Sequence, residues 1–196
     1  MRLTGKEIRR FVLGGASSET LYKDKIVIRP FVDEQLNPNS YNLRLSDKLL
    51  VYVNRPERKG RKIILDARKE NPTKEVLIPP KGLILKPGTL YLGSTLEWTS
   101  VSGNIIPQLS GRSSLGRLGL FIHVTAGFGD TGFMGNWTLE LACIQPIRIY
   151  AGMEVCQISF EQAVGEVTPY AGKYQGSRTV GASKLYKEFE RREDEA

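Results

Sequence analysis

Apolar residues in this chain recur mostly at alternate positions, in short runs that glycine and proline cut off. KIVIRPF (25–31) reads as a strand stopped at Pro30. In SYNLRLSDKLLVYV (40–53), Tyr41, Leu43 and Leu45 share one face, and Asn42 and Arg44 the other. VLIPP, KGLILKPG, TLYLGSTLEWT and GNIIPQLSG continue the pattern, as do LGLFIHVTAG, GNWTLELACI, PIRIYAG and EVCQISFEQA further on. Between residues 25 and 165 no helical period is sustained. Only the start differs. Thr4 and Glu7 have capping-box spacing, and Ile8, Phe11 and Val12 fall on one helical face before Gly14 and Gly15 stop it. The pattern predicts an all-β barrel or sandwich preceded by a short amphipathic helix.

Two stretches break the rhythm. Residues 54–74 are polar and rich in proline and lysine, with one apolar run at Ile63 to Leu65. From Thr168 the chain reads TPYAGKYQGSRTVGAS, glycine-rich, aromatic and basic, and then ends in the charged KLYKEFERREDEA. This divides the chain into a β domain over 1–167 and an arm and tail over 168–196. The arm is expected to be flexible and to order on binding, and the tail to be a solvated helical turn or a frayed end.

Composition narrows the class. The 196 residues are 40% hydrophobic and 25% charged, enough for one domain with a real core. No run reaches the length of a membrane span and MRLTGKEIRR lacks a signal-peptide core, so the cytoplasm is the expected location. Cys143 and Cys156 sit among apolar neighbours and read as buried thiols. The net charge of +7 invites phosphate or nucleic acid. However, the densest basic segment, Arg55 to Arg68, carries Glu57 and Asp66 and lacks the aromatics of a base-stacking surface. It reads as a solvated loop, and no nucleic-acid partner is expected.

Chemistry concentrates in GRSSLGRLGLFIHVTAGFGDTGFMGNWTLEL (111–141). A zinc deaminase site needs His-x-Glu and Pro-Cys-x-x-Cys; His123 is the only histidine and the cysteines are far apart, so no protein-held zinc is expected. There is no Walker A loop, and no nucleophile elbow surrounds a serine that could join His123 and Asp130 in a triad. In GRSSLGR, glycines allow close backbone approach, and hydroxyls and guanidinium groups can bind phosphate. A structural turn has the same pattern. On a strand, Trp137, Leu139, Leu141 and Cys143 point one way, and Thr138, Glu140 and Ala142 the other. Glu140 is then either a partly desolvated proton shuttle in a cavity or a strand glutamate facing water.

The run GRSSLGRLGL, H-x-TAG, D-x-GF-x-G, TLEL resembles the dCTP deaminases, relatives of the trimeric dUTPases. PNSYNLRL, KPGTLYLGSTLEW, AGMEVCQISF and TPYAGKYQG extend the resemblance over most of the chain. It implies a dUTPase-like distorted β-barrel or jelly roll, a homotrimer with active sites between subunits, and magnesium carried by the triphosphate. By position, Glu140 matches the catalytic glutamate, Ser113 and the Ala126 carbonyl the groups that hold the attacking water, and Arg117 the arginine beside it. Arg112, Ser113 and Ser114 match the triphosphate turn. Tyr170, Lys173 and Tyr174 match the closing arm. Single-activity deaminases have histidine after Thr-Ala, whereas Gly127 here matches the bifunctional members, in which Asp130 would orient the water that attacks the α-phosphate. The implied activity is therefore deamination of dCTP coupled to diphosphate release, giving dUMP. The alternatives are a deaminase that releases dUTP and a plain dUTPase, the latter disfavoured by Glu140. A third is a non-catalytic β-barrel binding phosphorylated ligands or nucleic acid. Two positions depart from the family: Asn42 stands where many members have aspartate, and the arm glutamine is replaced by Ser177 unless Gln175 substitutes for it.

Overall fold

The computed structural model describes residues 1–14, 24–53, 63–123 and 126–194. Helix α1 (Gly5–Leu13) opens the chain, with Thr4 Oγ1 accepting from the Glu7 N–H at 3.4 Å and the Gly14 N–H closing onto the Arg10 carbonyl. Ile8 is buried and Phe11 and Val12 lean on the core, which is the predicted stripe. Strands follow: β1 (Lys25–Arg29), β2 (Leu36–Asn37), β3 (Ser40–Arg44), β4 (Lys48–Tyr52), β5 (Thr73–Leu77), β6 (Leu83–Leu85), β7 (Tyr91–Ser94), β8 (Trp98–Ser102) and β9 (Ile105–Gly111). After a helical turn, α2 (Ser113–Gly116), come β10 (Leu120–Phe121), β11 (Met134–Gly135), β12 (Thr138–Cys143), β13 (Ile147–Ile149) and β14 (Glu154–Gln162). Helix α3 (Tyr186–Asp194) lies near the C-terminus.

Every pair of these strands is antiparallel, in the orders β2-β3-β14-β9, β10-β12-β7-β4-β5, β1-β8-β11 and β13-β6. Their inner faces meet in one core in which Tyr41, Leu43, Leu45, Leu49, Leu139, Leu141, Ile158 and Phe160 are fully buried. The fold is the mainly-β barrel that the alternation predicts.

Three features add to the sequence reading. The segment 40–53 forms two strands, because Ser46 and Asp47 turn the chain, with the Ser46 N–H on the Ser94 carbonyl. The polar face of β3 is also buried: Ser40 and Asn42 are covered and hydrogen-bonded to Gln157 and Glu154 of β14. Third, the arm lies along its own chain. The Tyr170 N–H bonds to the Thr131 carbonyl, Gly176 to Met134, and Ser177 accepts from Asn136. The predicted solvated end is helix α3, joined to the arm by a Lys173–Glu188 ion pair and set with Phe189 under the Arg68 guanidinium. Of the basic loop, residues 54–62 lie outside the described residues; Ile63, Ile64 and Leu65 are exposed. Both cysteines are buried free thiols, and burial pushes the Cys156 thiol up.

Tyr41 yields a test of the core. Its ring stacks on Phe31 and its hydroxyl accepts from the Val32 N–H at 2.9 Å. Burial pushes the phenol up to about 12. The unfolded phenol ionises near about 10, so the folded state holds its proton longer, and stability is lost as pH rises from about 10 to about 12. Tyr41→Phe should lack that phase in urea unfolding and cost about 1 kcal/mol at neutral pH for the orphaned Val32 amide. Parallel pH profiles for the two proteins would contradict this.

Candidate active site

Strand β12 lies between β10 and β7, with Glu140 opposite Leu92. Leu139, Leu141 and Cys143 are buried, whereas Thr138, Glu140 and Ala142 are only partly covered, as the alternation predicts. The Glu140 side chain keeps 31% exposure. Its neighbour is His123, 7% exposed, with Nδ1 at 4.0 Å from Glu140 Oε2. That separation is too long for a hydrogen bond. His123 Nδ1 has no hydrogen-bond partner among the described residues, so no Ser-His-Asp relay is assembled through that atom. The sequence singled out this histidine only to exclude metal and triad chemistry. Its place beside Glu140 follows from the backbone: the Glu140 N–H bonds to the Ile122 carbonyl at 3.0 Å.

The phosphate-type turn begins where β9 ends. Gly111 lies beside Ile122, where an added Cβ would meet that side chain at an ordinary contact distance of 3.6 Å. Arg112 is extended, and α2 follows directly, with Leu115 buried as its anchor and Ser113, Ser114 and Arg117 exposed. The Arg112 guanidinium, 34% exposed, is held from one side: Nη1 is ion-paired with Glu154 Oε2 at 3.0 Å and donates to the Glu154 carbonyl at 3.1 Å. This leaves Nε and Nη2 for a ligand, a bidentate donor pair.

A third part is the turn after His123. Val124 and Thr125 lie outside the described residues; Ala126 is exposed and Gly127 partly covered. The Gly127 carbonyl accepts from the Leu109 N–H at 2.7 Å, and a Cβ on Gly127 would stand 2.5 Å from the Leu109 carbonyl oxygen. The glycine is thus required by close backbone approach to β9, while His123 Cδ2 would stand at an ordinary contact of 3.8 Å from the added Cβ. Asp130 is exposed and its carbonyl accepts from Phe133, turning the chain back; Gly132, at φ +79°, completes the turn under Pro169 of the arm.

The arm reaches this turn. Tyr170 meets Phe133 edge-on at 5.8 Å. The Gln175 side chain donates to the Gly132 and Tyr170 carbonyls and accepts from the Met134 N–H, so it works here as a staple. Lys173 is paired with Glu188, the Tyr174 hydroxyl accepts from the Lys184 N–H, and the Ser177 hydroxyl donates to Thr179. Among the described residues the arm makes no hydrogen bond or ion pair to residues 112–117. One chain thus brings together Gly111, His123, Gly127 and Glu140, and separately joins the arm to the Asp130 turn. No three His, Cys, Asp or Glu side chains gather as a metal-ligand set among the described residues.

The dCTP deaminase-like family matches residues 12–163. A dCTP deaminase, dUMP-forming, from Hathewaya histolytica is 53% identical over 191 residues, covering 97% of this chain and all of its own. A protein of the same name from Cytophaga hutchinsonii is 50% identical over 181 residues, 92% of this chain and 99% of that one. Among solved structures, the 2'-deoxycytidine 5'-triphosphate deaminase of Agrobacterium tumefaciens superposes with a TM-score of 0.60 at 23% identity, covering 83% of this chain and 48% of that one, which speaks to the fold alone.

Gly127→Ala should destabilise the protein by about 1–3 kcal/mol, the usual cost of forcing atoms into a filled site. Urea unfolding checks this, and an unchanged midpoint would show that β9 and the Gly127 turn can part freely.

Proposed function

The chain belongs to the dCTP deaminase-like family, and from that premise we propose that it deaminates dCTP and cleaves the product to dUMP and diphosphate. The observation that carries the reading is Glu140: one partly exposed carboxylate on an otherwise apolar strand, beside a buried imidazole. Water held by Ser113 and the Ala126 carbonyl gives a proton to Glu140 as its oxygen adds to C4 of the cytosine. Glu140 then passes that proton to the ring nitrogen, takes the proton of the new C4 hydroxyl and gives it to the amino group, so that the C4–N bond breaks, ammonia leaves and a C4 carbonyl forms. Arg112, Ser113 and Ser114 bind the phosphates, and Arg117 stands beside the water. Asp130 orients a second water toward the α-phosphorus, so that attack there expels diphosphate. Tyr170, Lys173, Tyr174 and Gln175 with Ser177 close the site, for which Lys173 must exchange Glu188 for phosphate. Magnesium enters as part of the triphosphate substrate.

The two dCTP deaminases, dUMP-forming, with about half of their residues in common with this chain support the coupled reaction over release of dUTP. Gly127 and Asp130 are the residues here on which that choice rests. A homotrimer fits the placement of Ser113, Arg117 and Asp130 on exposed turns that a neighbouring subunit can reach. It also fits the exposed apolar side chains Leu118, Phe121 and Ile144 along the β10 edge. No described helix is long and apolar enough to cross a membrane. A nucleotide substrate favours the cytoplasm, where cell fractionation should place the protein.

Incubation with dCTP and magnesium, followed by product separation, tests the chemistry. The unmodified protein should yield dUMP and diphosphate with little free dUTP; stoichiometric uncleaved dUTP would reduce it to a simple deaminase. Glu140→Gln should abolish ammonia release and still bind dCTP, and release within about tenfold of the parent would sink the assignment. Asp130→Asn should slow diphosphate release by about two orders of magnitude and let dUTP accumulate. Equal loss of both activities would instead mean that Asp130 only caps its turn.

Sedimentation should give three times the mass of one chain. A monomer at working concentration would remove the shared-site element of this reading.

A further inference from the structure

Arg112 is held from behind by an arrangement that the reaction as described does not use. Ordinary strand alternation would put Glu154 and Gln157, three residues apart, on opposite faces of β14. The register against β3 shifts between Glu154 and Cys156, so that Glu154 faces Arg44 while Gln157 faces Asn42. Val155 is the extra residue of this bulge, and it brings both polar side chains to one face. There they meet the covered polar side of β3. Ser40 donates to Gln157 Oε1 at 2.7 Å, and Gln157 Nε2 donates to the Gly111 carbonyl at 3.2 Å. Asn42 Nδ2 donates to Glu154 Oε2 at 2.9 Å, the same oxygen that receives Arg112 Nη1. Two polar paths therefore cross from β3 over β14 to consecutive residues at the start of the phosphate turn, one hydrogen-bonded throughout to Gly111 and one ending in the ion pair with Arg112.

The polarity of the second path is fixed. Asn42, 6% exposed, spends its carbonyl oxygen on Asn37 Nδ2 at 2.7 Å and its amide on Glu154. Its backbone carbonyl is taken by Gln35 Nε2. Glu154 thus supplies one negative charge and Asn42 none. An aspartate at position 42 with Glu154 unchanged would face a second carboxylate across a distance set for a hydrogen bond, and the two would repel. Residues 42 and 154 are consequently matched: one donates, the other accepts, and Arg112 receives a single oriented anion.

We propose that Asn42 and Glu154 are positioning residues that fix the Arg112 guanidinium so that its Nε and Nη2 edge meets the substrate phosphates. This rests on the reading of Arg112 as a phosphate ligand. The pair touches no substrate. Its loss acts through Arg112 on nucleotide binding and leaves proton transfer at Glu140 alone.

Steady-state kinetics with magnesium and dCTP, read as ammonia release, test this alongside thermal unfolding. Asn42→Asp and Glu154→Gln should each raise KM about tenfold with kcat within about threefold of the parent, the pattern of lost uniform binding. The milder Asn42→Ala should do the same if a charged variant fails to fold. Combined, Asn42→Asp with Glu154→Gln reverses the hydrogen bond, the new amide donating to the new carboxylate, and KM should return to within about threefold of the parent. In an Arg112→Ala background none of these changes should move KM by more than about twofold. Additive effects in the double variant, or unchanged KM in the single variants when Arg112→Ala raises it, would overturn the positioning role. If Arg112→Ala itself leaves KM unchanged, the phosphate role of Arg112 falls and this inference with it, while ammonia release still reports separately on deamination.

Discussion

The carboxylate of Glu97, with no exposed surface, is the constraint from which both parts of the site hang. A buried charge is tolerated only when its oxygens are answered. Here Arg44 Nε donates at 2.6 Å, the Arg44 N–H at 2.7 Å and Gln35 Nε2 at 3.1 Å. Removing one partner of such a buried pair generally costs about 3–5 kcal/mol. These bonds lock the turn between β7 and β8 onto β3. The same turn holds the start of β12: the Thr95 hydroxyl donates to the Glu97 carbonyl and accepts from the Trp137 N–H, while the Thr95 N–H bonds to the Trp137 carbonyl. Toward β12 the tie sets Glu140; toward β3 it sets Asn42, Glu154 and Arg112. The proton-transfer group and the phosphate-binding group are thereby referred to one buried anion.

Rigidity and exposure are divided accordingly. Glu140 and Arg112 leave well-paired strands, so their positions are fixed by ladders and by packing beneath them. Ser113, Ser114, Arg117 and Asp130 lie on exposed turns that a ligand or a neighbouring subunit can reach. The arm belongs to the second group. Its hold on the body is a string of backbone bonds to residues 131–136, the Gln175 staple and bonds from Gly181 and Ser183 to the Thr138 and Tyr52 hydroxyls. It crosses Gly132 and Gly135, where a Cβ would meet the arm at 2.8 and 2.9 Å. These glycines let two chains of backbone run side by side, and they connect the Asp130 turn mechanically to the segment assigned to close over the nucleotide.

What the sequence by itself determined is the part governed by local rules. Alternation placed Leu139, Leu141 and Cys143 inward and Glu140 on the accessible face, because a strand has a period of two whatever surrounds it. Capping spacing located α1, and glycine and proline located the strand ends. The residue run of GRSSLGR and TLEL carried the family. Tertiary structure decided the rest. Asn42 reads as part of a polar face, but it and Ser40 are buried, since β14 brings Glu154 and Gln157 over them, and a bulge that no period predicts makes that possible. His123 came to lie beside Glu140 only through the pairing of residue 122 with β12. Gly127 owes its identity to the Leu109 carbonyl, far away in sequence. Local pattern fixes which way a side chain points along its own strand; what it meets there depends on the register of the strand that arrives opposite.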